Sequence, residues 1–168
     1  SENIMAGPAM LRRAGLMYGN SLQKNAKGML TCGLGTMVPT GGTASLIPPT
    51  DIIKETGEIR VLDGVRFEFM MAPGAEAPAE MMMYLPDYRA VCQAEICSCV
   101  MHNIYTLRGA KVRDASAWAS HINSAIGLYG HRSDISFASH HWPRWGKKPI
   151  VHYMKQQRDL YKFIHGKY

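Results

Sequence analysis

The sequence has no run of about 18 apolar residues, so it encodes no helix of membrane-spanning length. It has no Cys-x2-Cys pair among its four cysteines, Cys32, Cys92, Cys97 and Cys99, which argues against a zinc ribbon. Cys97 and Cys99 lie too close for an easy mutual disulfide, and all four are expected as buried free thiols. Internal repeats, low-complexity segments and linker-like stretches are also absent. Gly33-Leu34-Gly35-Thr36 and Gly41-Gly42 could wrap backbone amides around an anion, but the lysine that a P-loop needs does not follow. A plain loop is the preferred reading there. The basic residues are scattered and no nucleic-acid-binding motif accompanies them. The formal charge of +6 is therefore assigned to an anionic ligand rather than to nucleic acid.

What is present fits one domain. The chain has 168 residues, 46% of them hydrophobic, enough for a packed core. Its twelve methionines either fill irregular core gaps, the favoured reading, or line a pocket for an alkyl chain. Residues 3–18 read as a helix, and 19–42 as Gly-rich and irregular. A short strand is expected over 44–47. Alternating residues on both sides of Asp63-Gly64 predict a hairpin. Met81 to Leu85 reads as a strand buried on both faces, with 89–94 as its return. Helices are expected over 96–106, 114–129 and 149–164, and a strand over 135–138. Periodicity alone gives an α+β protein.

The polar residues gather at the ends of these strands. Glu76 and Glu80 lie in a Pro/Ala loop, and Glu95 follows the return strand. His102 and Asn103 open a basic turn that reaches Arg108. His140 and His141 follow the strand 135–138, beside Trp142 and Trp145. Carboxylates and imidazoles at strand ends are what a metal such as zinc needs. Each also has an ordinary role: Glu76 and Glu80 as solvated acids, Glu95 as a helix N-terminal acid, His140 and His141 as a polar turn. Arg108 could cap helix carbonyls, and the two tryptophans, which could line the site, more readily pack.

Several strings carry a resemblance. PGAEAPAEMMMYLPDYRAV, AE-x6-HNIYTLRGAKVRD and FASHHWPRWG are similar to the SDS-hydrolysing alkylsulfatases of the metallo-β-lactamase superfamily. So are ENIMAGPAMLRRAGLMYGN, GLGT-x4-GGTASLIPPTDII and KQQRDLYKFIHGKY. The resemblance runs almost end to end. It implies a partial metallo-β-lactamase-type αββα four-layer sandwich, with residues 1–168 as the C-terminal portion of a catalytic domain. The family's first metal motif, His-x-His-x-Asp-His, is absent, since no two of the seven histidines are spaced i, i+2.

By the resemblance, two zinc ions share a bridging water, and this chain supplies three ligands: Glu76, Glu95 and His140. Glu95 and His140 thereby count as catalytic. Glu80 is the competing ligand, or a group that holds one. Asn103 and Arg108 would grip the sulfate, because a planar guanidinium donates two hydrogen bonds to a tetrahedral oxyanion. The implied reaction converts an alkyl sulfate ester to an alcohol and inorganic sulfate. The alternatives are another hydrolase of this fold, acting on phosphate esters, lactones or thioesters, or a partner domain that binds no metal. The isolated chain is expected to be nearly inactive and to expose an apolar face. It should then dimerise, aggregate, or pair with another polypeptide carrying the first motif. A soluble protein is expected, bacterial periplasmic, secreted or cytoplasmic.

Overall fold

The computed structural model describes residues 2–29, 31, 45–107, 109 and 111–166, and side chains within these except those of residues 2–8 and 10. The chain divides into two compact units. One comprises residues 1–51 and 105–112. The other comprises residues 52–104 and 113–168.

In the first unit, helix α1 spans Glu2–Met17 and Gly19, at φ 72°, terminates it. A left-handed residue past the last turn is the usual glycine stop. Ala14 of this helix and Met29 beyond it are the unit's buried apolar side chains among those described. Of the strand expected over 44–47, residues 45–47 form no strand, and Leu46 and Ile47 are exposed. Pro48 and Pro49 cannot donate to a ladder, and among the described residues no strand pairs with 45–47. The glycine loop of residues 33–42 and Cys32 lie outside the described residues.

The second unit is a six-stranded mixed sheet with helices packed on it. The strands are β1 (Ile59–Leu62), β2 (Val65–Met71), β3 (Met81–Leu85), β4 (Ala90–Cys92), β5 (Ile135–Phe137) and β6 (Arg144–Trp145), in that spatial order. The hairpin at Asp63-Gly64 forms as expected. Both residues take positive φ (50° and 80°), as a two-residue turn matched to strand twist requires. β1 to β4 run antiparallel, β4 and β5 parallel, β5 and β6 antiparallel.

Helix α2 (Ala115–Ala125) starts at Asp114, whose carboxylate accepts from the amides of Ser116 and Ala117 at 2.8 and 3.0 Å. It ends in a π-turn, Ile126–Gly130. Helix α3 spans Lys147–His165 and buries Ile150, Met154, Gln157 and Tyr161; Ile164, the fifth residue of the stripe expected there, is half-buried. Trp118, Ile122 and Ala125 of α2 meet that stripe and the Met70, Met82, Tyr84 and Val91 side chains of the sheet in one core.

Three expectations for the second unit change. β3 buries only alternate residues, Met82 and Tyr84, so one face of the strand is only partly covered. Residues 96–106 form no helix. The carbonyls of Ile96, Ser98 and His102 instead accept hydrogen bonds from Trp118 Nε1 (2.7 Å), Tyr153 OH (2.6 Å) and Tyr161 OH (2.9 Å). Side chains from α2 and α3 thus take the place of the i+4 amides, and tertiary contacts override a helical pattern. Cys97 is buried, as expected, and its burial pushes the thiol up to about 12. Cys92 and Cys99 are free but only half-buried.

Candidate metal centre

The sheet topology brings the three candidate ligands to one edge. β4 and β5 run parallel with Cys92 opposite Phe137. Glu95 lies three residues beyond the first and His140 three residues beyond the second, so both emerge from the same edge. β3 runs antiparallel to β4, so its start, Met81, lies at that edge too. The loop closing β2 to β3, residues 72–80, carries Glu76 and Glu80 there. Loops converging at strand ends are the usual place for a site on a rigid scaffold.

Local backbone geometry reinforces this. Ala94 and His141, next to Glu95 and His140, both adopt left-handed φ (48° and 65°). Such conformations are costly outside glycine, and they re-aim the following or preceding side chain. The Ser139 amide donates to the Ala94 carbonyl at 3.0 Å, tying the loops that carry Glu95 and His140 together.

Glu95 sits at the centre. Its Oε2 lies 2.8 Å from His102 Nε2 and its Oε1 lies 3.1 Å from His140 Nε2. Glu76 is ion-paired through Oε1 to Arg113 Nη2, and its carbonyl accepts from Arg113 Nε at 2.8 Å. Ligand atoms of Glu76, Glu95 and His102 all fall within 4.8 Å of one another. Glu80 joins the group from the side. Burial, and then the nearby Glu76 and Glu95 charges, push its carboxyl up to about 7, against a lowering hydrogen bond from the Met81 amide. Crowding three carboxylates and two imidazoles beside one guanidinium is unfavourable without a further cation. Carboxylate oxygens and imidazole nitrogens are the donors that a divalent metal takes. The residues present therefore fit a metal ion.

Asn103 Oδ1 accepts from Arg113 Nη1 at 2.9 Å. With that oxygen committed, the amide hydrogens are what Asn103 has to offer an oxyanion. Arg108, its expected partner, lies outside the described residues. Trp142 and Trp145 are 75% and 62% exposed, so the packing role favoured for them is not what the fold gives. Two members of the cluster were not assigned from the sequence. His102 reads in the sequence only as part of a basic turn. Arg113 lies within the HNIYTLRGAKVRD string with no pattern that marks its role; its place just before the Asp114 cap is the signal that anchors it at a helix start.

Comparison with known proteins gives one consistent result. Over 164 residues, 98% of the chain and 24% of the relative, it is 52% identical to a linear primary-alkylsulfatase from Pseudomonas sp.. It is 47% identical over 165 residues to an alkyl/aryl-sulfatase from Saccharomyces cerevisiae, again 98% of this chain and 25% of that one. Among solved structures, a stereoselective inverting sec-alkylsulfatase from Pseudomonas sp. superposes with a TM-score of 0.90 at 38% identity, over 99% of this chain and 26% of that one. No family model matches the chain. The chain spans about a quarter of the length of the curated relatives it matches.

Proposed function

Because this chain belongs to the alkylsulfatase family of the metallo-β-lactamase superfamily, we propose that the protein carrying it hydrolyses alkyl sulfate esters to an alcohol and inorganic sulfate. Its α+β fold is part of the metallo-β-lactamase-type αββα sandwich. Glu76, Glu95 and His140 would hold zinc, two ions in the complete site. The other ligands would come from a His-x-His-x-Asp-His segment in the same polypeptide or in a partner chain. Zinc bound there would supply Lewis acidity, making water a better nucleophile and neutralising charge on the sulfate oxygens.

The observation that carries this reading is Glu95, set between two imidazoles with the Glu76 carboxylate alongside. Glu95 contributes a negative charge that both neighbouring rings orient. Asn103 donates from its amide to a sulfate oxygen, and Arg108 adds a planar, permanently charged fork. Glu80, whose proton is held to about neutral pH, can keep or release that proton beside Glu76. The exposed Trp142 and Trp145 follow His140 by two and five residues and offer an apolar surface for an alkyl chain. Soluble oligomers are mostly symmetric, with two-fold dimers the commonest, so a homodimer is the expected state of the whole protein.

The test is turnover of dodecyl sulfate by the intact protein with zinc, after chelation, and after zinc is restored. Activity that disappears and returns supports the reading. Arg108→Ala should keep zinc and lose rate on the order of 10- to 1,000-fold. No sulfate release, with hydrolysis of a phosphate ester, lactone or thioester instead, would replace it. The 168-residue chain alone should be nearly inactive, because its three ligands do not make a complete two-zinc site.

A further inference from the structure

Arg113 reaches three residues of the candidate centre at once. Its side chain is 10% exposed. It is rooted where the chain enters α2: its amide donates to the Ile104 carbonyl at 3.0 Å, and the next residue, Asp114, caps the helix. From there Nε and Nη2 hold the backbone and carboxylate of Glu76. Nη1 donates to the carbonyl and to Oδ1 of Asn103, at 2.8 and 2.9 Å, and lies 3.2 Å from His102 Nδ1. Nη1 has two hydrogens for these three acceptors, so one of them is shared.

We propose that Arg113 is the positioning residue of the metal centre: one planar cation that fixes the Glu76 carboxylate and the Asn103 amide, and sets the His102 ring so that it orients Glu95. This rests on the reading that Glu76 and Glu95 are metal ligands.

The hydrogen bonds decide how His102 acts. Arginine only donates, so its contact with His102 Nδ1 requires that nitrogen to accept. The Asn103 carbonyl lies 3.1 Å from the same Nδ1 and would need it to donate, but that carbonyl already receives Arg113 Nη1 at 2.8 Å. A hydrogen on Nδ1 would face a permanent cation. The ring proton therefore sits on Nε2, which points at Glu95 Oε2 at 2.8 Å. A protonated Nε2 has no lone pair for a metal. His102 thus holds Glu95 as a hydrogen-bond donor, and His140 is left as the imidazole ligand, although His102 is the histidine nearer to both carboxylates. Groups that orient metal ligands in this way are costly to remove.

The experiment uses the intact protein. In the metal-free form, long-range proton–nitrogen correlation spectra should show His102 protonated on Nε2 and bare on Nδ1. Arg113→Lys and Arg113→Met should then lower zinc affinity, read by competition with a chromophoric chelator, by about 10- to 100-fold. Lys should recover only part, since an ammonium cannot span Glu76 and Asn103 together. The His102 signal should also become a mixture of tautomers while the amide spectrum of the rest of the protein stays that of the parent. A wild-type His102 that carries its proton on Nδ1 overturns the proposal, whether or not the variants fold. So does an Arg113→Lys protein that binds zinc as tightly as its parent with an unchanged His102 spectrum. Wild-type protein that binds no zinc would instead overturn the ligand reading beneath it, and the proposal with it.

Discussion

The candidate centre has two halves of different character. The inner half, Glu76, His102 and Arg113, is 10–19% exposed at its side chains and cross-linked by hydrogen bonds. The outer half begins at His140, whose side chain is 43% exposed and whose described ring contact is Glu95 Oε1. Beyond it come His141 in a left-handed conformation and an exposed Trp142. The inner half is organised by protein alone. The outer half takes its position from the end of β5 and from a backbone link to Ala94, and a bound metal would add the constraint that the protein omits.

This contrast is sharpest at the floor of the site. Trp118 is fully buried, stacks on Tyr161 with centroids 4.7 Å apart, and lies 5.6 Å from the His102 ring. Trp118→Ala should cost about 3–5 kcal/mol of stability in chemical denaturation, and Trp142→Ala nearly nothing. Equal losses from the two tryptophans would erase the distinction between the halves.

His140→Ala should come next. It should lower zinc affinity by more than the about 10- to 100-fold expected of a group that only orients a ligand, while the melting curve of the metal-free protein stays put. Zinc titration and calorimetry on the same sample check this. A large fall in metal-free stability would mean that His140 belongs to the inner, structural half.

Glu80 gives a pH test of the inner half. Its carboxyl is raised in the folded state, so between the ordinary glutamate range and about 7 the folded protein holds a proton that the unfolded chain has released. Stability of the metal-free protein should therefore fall as pH rises through that window. Glu80→Gln should flatten that part of the pH–stability profile. A profile unchanged by the substitution would show that Glu80 is not buried beside Glu76. Smallest of all should be the Arg66–Asp87 pair, 3.0 Å apart and about half exposed on each side, where Asp87→Ala should change stability by less than about 1 kcal/mol.

What the sequence conveyed follows a different line, between local signals and contacts made across the chain. Elements with a strong local signal were legible: the Asp63-Gly64 hairpin, the α3 stripe, and the strand ends that carry Glu76, Glu95 and His140. The motifs named those three residues, and the sheet register brings their loops to one edge. The segment 96–104 was not legible, because its carbonyls are satisfied by Trp118, Tyr153 and Tyr161 from distant helices. That same segment presents His102. Arg113 was hidden for a related reason: its role lies in reaching residues 76, 102 and 103, which no local pattern encodes. Trp142 and Trp145 misled in the other direction, since large aromatic residues ordinarily pack.

The most direct test of the central claim is anomalous diffraction at the zinc absorption edge from crystals of the intact protein. The account predicts zinc bonded to Glu76, Glu95 and His140, with His102 Nε2 hydrogen-bonded to Glu95 and not to metal. A zinc peak bonded to His102 Nε2, or no peak at these residues, would contradict it.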